Sequence, residues 1–151
     1  MDIVIREIEE KDYPDVASLL INELWNNKIG GDYVASFFNK ARNDEHYITF
    51  VALFDNNVVG IISAINFLWA ASERSHMFIQ GFAVKNEYQN MGIGSKLLKH
   101  LEDYANAKGV TGIGLCSGFK RTAAHGFYEK NGYSSNSQYF GKMLNPIKQI
   151  L

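Results

Sequence analysis

Val84-Lys85-Asn86-Glu87-Tyr88-Gln89-Asn90-Met91-Gly92-Ile93-Gly94-Ser95 decides the fold. Before it, His76 to Val84 has strand composition; after it, Ile93, Leu97, Leu98, Leu101, Tyr104 and Ala105 fall at helical spacing, with Lys96, Lys99, Glu102 and Asp103 off the stripe. A strand therefore ends, a turn follows, and a helix begins at two glycines. The first N–H groups of a helix lack intrahelical partners, and its dipole favours an anion there. Gly92 and Gly94 place no side chain in the way of a pyrophosphate. The same pair would also let the helix pack closely on a sheet, so the glycines alone leave both readings open.

Two other phosphate sites fail on these residues. A dinucleotide fingerprint needs a third glycine where Leu97 stands, and follows a first parallel strand. Gly94-Ser95-Lys96 has the wrong order for a phosphate loop ending in Gly-Lys-Ser/Thr.

Working outward, Ile3–Ile8 alternates as a short strand. A helix follows from Tyr13, with Asp12 as its N-cap and Pro14 in the first turn. A second helix runs from Asp32 to Arg42 after Gly30-Gly31. Ile48–Phe54 and Val58–Leu68 form a strand pair around Asp55-Asn56-Asn57, residues that tolerate positive φ. The long helix stops at Lys108-Gly109; a strand at Gly112–Ser117, a helix at Thr122–Glu129 and a final strand at Tyr139–Leu144 complete the order. This predicts one mixed α/β domain over residues 1–151, with about six strands flanked by helices and a β-α-β crossover.

Composition fits that size. The chain has 151 residues, 46% apolar and 21% charged, enough to bury a core. Fifteen basic against sixteen acidic residues give a net charge of −1, without the basic excess that supports general nucleic-acid binding. The single cysteine, Cys116, excludes an intrachain disulfide and a cysteine-rich zinc site; it is expected to be buried and inert. The four histidines show no metal-ligand spacing. The start, Met1-Asp2-Ile3-Val4-Ile5-Arg6, does not read as a signal peptide, and the longest apolar run, Ile61–Ala71, is too short to span a bilayer. A cytoplasmic protein without metal, nucleic acid or membrane partner is the expectation, and a homodimer is compatible with it.

Gln89-Asn90-Met91-Gly92-Ile93-Gly94 resembles the signature of the GNAT acyltransferase superfamily, Gln/Arg-x-x-Gly-x-Gly/Ala. Arg121 to Tyr133, with Ala124, Phe127-Tyr128-Glu129-Lys130 and Gly132-Tyr133, is similar to the family's later helix. The resemblance covers nearly the whole chain. It implies acetyl transfer from acetyl-CoA to a primary amine of a small molecule or peptide. Gln89, Asn90, Met91, Gly92, Ile93, Gly94 and Ser95 would cradle the pyrophosphate, and the backbone of Phe82, Ala83 and Val84 would pair with the pantetheine arm. Ser117, Arg121 and Ala124 would complete the cofactor site, and Tyr128 would protonate the leaving thiolate. A tyrosine near 10 and a thiol near 8.5 make full proton transfer uphill by roughly 2 kcal/mol, small beside a reaction barrier. Tyr128 would equally serve as a core aromatic.

The chain departs from the family at one informative position. Many members carry a glutamate base in a run like Ile-Glu-x-Leu-x-Val, and here Ile79-Gln80-Gly81-Phe82-Ala83-Val84 puts Gln80 there. An amide takes no proton at neutral pH, which admits an alternative: a non-catalytic acyl-CoA-binding regulatory module. Glu73, His76 and Glu87 are near in sequence but read first as surface groups, and His125 as packing. Trp25, Trp69, Glu73 and Gln80 are the candidate acceptor-binding residues, with Tyr33, Phe67, Glu23 and Asp32 around them. Aromatic rings with carboxylates suit a cationic amine, and also suit an ordinary amphipathic surface.

Overall fold

A computed structural model describes residues 1–24 and 30–144. Contacts gather them into two compact units, one over Met1–Gly114 and one beginning at Leu115.

In the first unit the strands β1 (Val4–Glu7), β2 (Tyr47–Phe54), β3 (Asn57–Leu68) and β4 (Ser75–Val84) form an antiparallel meander. The β2–β3 turn carries Asp55 and Asn56 at φ 47° and 62°, the conformations their residue types predict. Strand β5 (Ile113–Leu115) completes the five-stranded order β1-β2-β3-β4-β5. The Thr111 N–H donates to Ser75 and the Met77 N–H to Gly112, so β4 and the chain entering β5 advance in the same direction. Helix α3 (Ile93–Ala107) makes the crossover between them.

Each sheet face has its own helices. α1 (Tyr13–Glu23) and α2 (Gly31–Ala41) pack on one face, where Val16, Leu19, Leu20, Val34 and Phe38 meet Val51, Ile61 and Ala83. On the other, Ile93, Leu97, Leu98 and Leu101 of α3 are buried, as the stripe predicts. Gly60 lets α3 approach β3: a Cβ there would lie 2.9 Å from Leu97 Cδ1.

Three local expectations need correction, and a fourth does in part. Asp12 holds the N-cap position of α1, as expected, but its side chain makes no capping bond there. It ends a 3-10 turn at Glu10–Asp12, is buried, and accepts bonds from both Arg6 guanidinium nitrogens (2.7 and 2.9 Å) and from the Glu9 N–H (2.8 Å). Strand β5 is shorter than Gly112–Ser117. Cys116, just beyond it, is exposed. In the second unit, α4 (Thr122–Lys130) forms as expected, but Tyr139–Leu144 is irregular backbone with Tyr139, Phe140 and Leu144 open to solvent. Strand-forming residues alone do not make a strand, because a strand is completed by the hydrogen bonds of a neighbour. Among the described residues the sheet therefore has five strands rather than about six.

Candidate active site

The predicted site residues fall into two groups, one in each unit. In the first unit, Gly92 is the N-cap of α3 at φ 81°, a left-handed conformation that suits glycine, and a Cβ there would meet nothing within 4 Å. Asn90 is also left-handed, at φ 61°. The first bond of the helix runs from the Lys96 N–H to the Gly92 carbonyl (3.1 Å), so the N–H groups of Ile93, Gly94 and Ser95 precede the helical ladder. No acid stands in this first turn. Buried Ile93 anchors the turn, while Gln89, Asn90, Met91, Gly92 and Ser95 are exposed. Open space, unpaired donors and the helix dipole fit a pyrophosphate.

The loop leading there is fastened at three points. The Lys85 N–H donates to Val59 (2.9 Å), the Gln89 side-chain amide to the Val84 carbonyl (2.9 Å), and the Asn86 N–H to the Glu23 carboxylate at the end of α1 (3.2 Å). Nothing in the motif announces Glu23 in this role, because its partner lies 63 residues away and is backbone.

Strand β4 carries a feature that sequence reasoning missed. Ser63 pairs with Gly81 and Ala64 with Ile79, leaving Gln80 as an extra residue in a β-bulge. The shift inverts the strand's facing. Gly81 lies under Leu20 of α1, and Ala83 belongs to the core beneath α1 and α2. Upstream, Phe78 and His76 pair with Ile65 and Phe67, which share the face of Ser63, so the even-numbered residues look toward that side. Downstream, Phe82 and Val84 pair with Ile62 and Gly60, on the α3 face. Gln80 itself is exposed. The signal was available: a glycine inside a strand pattern, here Gly81, marks a bulge.

Beside the bulge, the His76 ring lies 4.8 Å from Trp69 and 6.0 Å from Phe67, and a Cβ on Gly112 would come within 2.5 Å of its Cε1. Its Nδ1 is buried and has no hydrogen-bond partner. Trp69 is half exposed and Glu73 is exposed, whereas Trp25 lies outside the described residues.

In the second unit, Ser117, Arg121, Ala124 and Tyr128 lie on or just before α4. The Ser117 hydroxyl is buried without a hydrogen-bond partner, which suits a ligand contact. Arg121 is the exposed N-cap of α4. Tyr128 is half-buried between Phe127 (5.4 Å) and Tyr133 (5.9 Å). Burial raises its phenol above the ordinary value, partly offset by the Arg121 charge, which favours the protonated form. His125 Nε2 donates to the Gly118 carbonyl (2.9 Å) and so fastens the turn before the helix.

A cavity of about 270 Å³, lined by residues including Asn66, Met77, Tyr104 and Lys108, lies at the far end of α3 from Gly92. The open glycine turn is a surface cradle, so cavity volume does not locate it. Among the described residues, no cluster of three or more His, Cys, Asp or Glu could hold a metal, and no helix is long and apolar enough to cross a membrane.

Comparison with known proteins supplies the name of this arrangement. The model of the acetyltransferase (GNAT) family matches residues 4–133. An uncharacterized N-acetyltransferase, YhdJ, of Bacillus subtilis (strain 168) is 28% identical over 99 residues, covering 65% of this chain and 69% of its own. A transcriptional regulator from Bacillus halodurans C-125 shares the fold at TM-score 0.86 and 21% identity, over 95% of this chain and 100% of that one. The aminoglycoside N-acetyltransferase AAC(6')-Iy in complex with CoA does so at TM-score 0.84 and 14% identity, over 94% of each. With the match spanning the meander, the glycine turn and α4, the chain belongs to the GNAT family of acetyltransferases.

Proposed function

We propose that this chain moves an acetyl group from acetyl-CoA to a primary amine, with residues 1–151 acting as one domain. The observation that carries the proposal is the left-handed Gly92 at the start of α3, open to a ligand and followed by three N–H groups without helical partners. Bound acetyl-CoA supplies an activated thioester. Ile93, Gly94 and Ser95 offer backbone donors to its pyrophosphate, and Lys96 in the same turn adds positive charge. Backbone groups of Phe82, Ala83 and Val84 align the pantetheine arm, and one N–H there polarises the acetyl carbonyl. Ser117 and Arg121 contact the cofactor, Arg121 through a phosphate. Tyr128 donates its proton to the departing thiolate, a role that its burial supports by keeping the phenol protonated.

A second reading rests on Gln80. Its exposed side chain stands where a base would serve, and it cannot accept a proton at neutral pH. A module that binds acyl-CoA without turnover would look the same at Gly92.

Thermal melts with acetyl-CoA test the binding half. Ligand at a hundred times its Kd should add about 2.7 kcal/mol. Gly94→Val should abolish the shift, and Gly126→Ala, whose added Cβ meets nothing within 4 Å, should leave it intact. An unchanged melt of the natural chain would remove the assignment. Thiol release from acetyl-CoA with a panel of amines separates enzyme from binding module.

A further inference from the structure

We propose that the acceptor is a monoamine carried on an aromatic or apolar body, and that His76 is a specificity-determining residue for it; this rests on the acetyltransferase reading above. The register shift at Gln80 is the first support. It turns His76 and Phe78 of β4 to the same face as Ile65 and Phe67 of β3, on the side of the sheet covered by α1 and α2. Downstream of the bulge the strand runs into the cofactor loop. The upstream wall and the thioester site thus share one strand.

The second support is the chemistry of that wall. His76 lies tilted beside Trp69 and edge-on to Phe67, and all three are partly open to solvent. Gly112 leaves room for the imidazole, because any side chain there would strike its Cε1. Of the acidic candidates, Glu23 is already engaged, accepting from the Asn86 N–H. Gln80, at the bulge, is neutral. A flat apolar body gains from burial against rings, whereas a polycation needs several carboxylates.

The step balances with these groups. The neutral amine nitrogen attacks the thioester carbonyl carbon, a C–N bond forms, and the C–S bond breaks with its electron pair leaving on sulfur. The proton shed by nitrogen ends on the thiol, so an amide and free CoA thiol account for every atom.

Thiol release at pH 7 with 4-methylaniline, 2-phenylethylamine, spermidine and kanamycin decides the matter. One of the two ring amines should exceed both polycations in kcat/KM by about tenfold or more. His76→Ala should lower that kcat/KM by about tenfold, mainly through KM, without changing the melt shift given by acetyl-CoA. His76→Phe, which keeps a ring against Gly112, should recover most of the loss. A preference for spermidine or kanamycin, or a His76→Ala enzyme with unaltered KM, would overturn the proposal while leaving the acetyltransferase reading in place. No thiol release with any amine would overturn both when the melt is also unmoved. With the shift intact, it would overturn this proposal in favour of the binding module.

Discussion

Two residues carry the proposed chemistry. Tyr128→Phe keeps the ring between Phe127 and Tyr133 and removes only the hydroxyl. Turnover should fall roughly 10²–10⁴-fold, the usual contribution of a positioned general acid, with Kd for acetyl-CoA nearly unchanged. Steady-state kinetics beside a binding titration would show the split, and near-normal turnover would mean that the thiolate leaves unassisted. Gln80 sets the second expectation. An amine must be neutral to attack, and a lysine-like amine gives up about 4.6 kcal/mol at pH 7 to be so, an α-amine only about 1 kcal/mol. Without a carboxylate at Gln80, the natural enzyme should favour the amine of lower pKa, and its rate on the other should climb with pH. Gln80→Glu should help the lysine-like amine most at neutral pH, by offering a proton acceptor. The pH–rate profiles of both enzymes on both substrates would check this, and identical profiles would place the base elsewhere. Gln80 stands out in the sequence as an amide where many family members carry a glutamate, and Tyr128 as the tyrosine of the Phe-Tyr-Glu-Lys string. Phe67 and Trp69 were legible as candidate wall residues; the room that Gly112 leaves beside His76 was not, because a separate segment supplies it.

Elements were legible where their signals are local. Helix α3 announced itself through its apolar stripe and paired glycines, and the β2–β3 hairpin through Asp55 and Asn56. The missing sixth strand shows the opposite case: Tyr139–Leu144 has strand-forming residues, but β pairing depends on a partner that periodicity cannot name. Helix packing offers a test at this scale. Beside the contact with Leu97, a Cβ on Gly60 would sit 3.4 Å from the Ala83 carbonyl and from Val84 Cγ2. Gly60→Val should therefore push α3 off β3 and cost about 1–3 kcal/mol through overpacking. Urea unfolding would measure it. A loss below 0.5 kcal/mol would mean that Leu97 repacks freely, on the scale where surface substitutions normally fall.

At the scale of the molecule, stability acquires a pH dependence from Asp12. Burial alone would raise its carboxyl, but the bonds from Arg6 and the Glu9 N–H, with the Arg6 charge, outweigh it and leave it lowered. A carboxyl lowered by folding stabilises above its unfolded value of about 3.9, and that stability is lost as pH falls through the lowered folded value. Asp12→Asn should cost about 1–3 kcal/mol between pH 5 and 8, with the gap to the natural chain closing below about pH 3.5. Melts across that range would show it, and a gap that persists at pH 2.5 would mean that the loss is one of packing. Strand β4, finally, behaves like a message read in two frames. The one-residue slip at Gln80 separates the words before it from those after it. Positions 76 and 78 can change without altering the face that residues 81–84 show to either layer of helices. Deleting Gln80 would join the two frames into one regular strand, with Ile79 still opposite Ala64 and Gly81 still opposite Ser63, so the bulge and its exposed amide would go while every facing stayed.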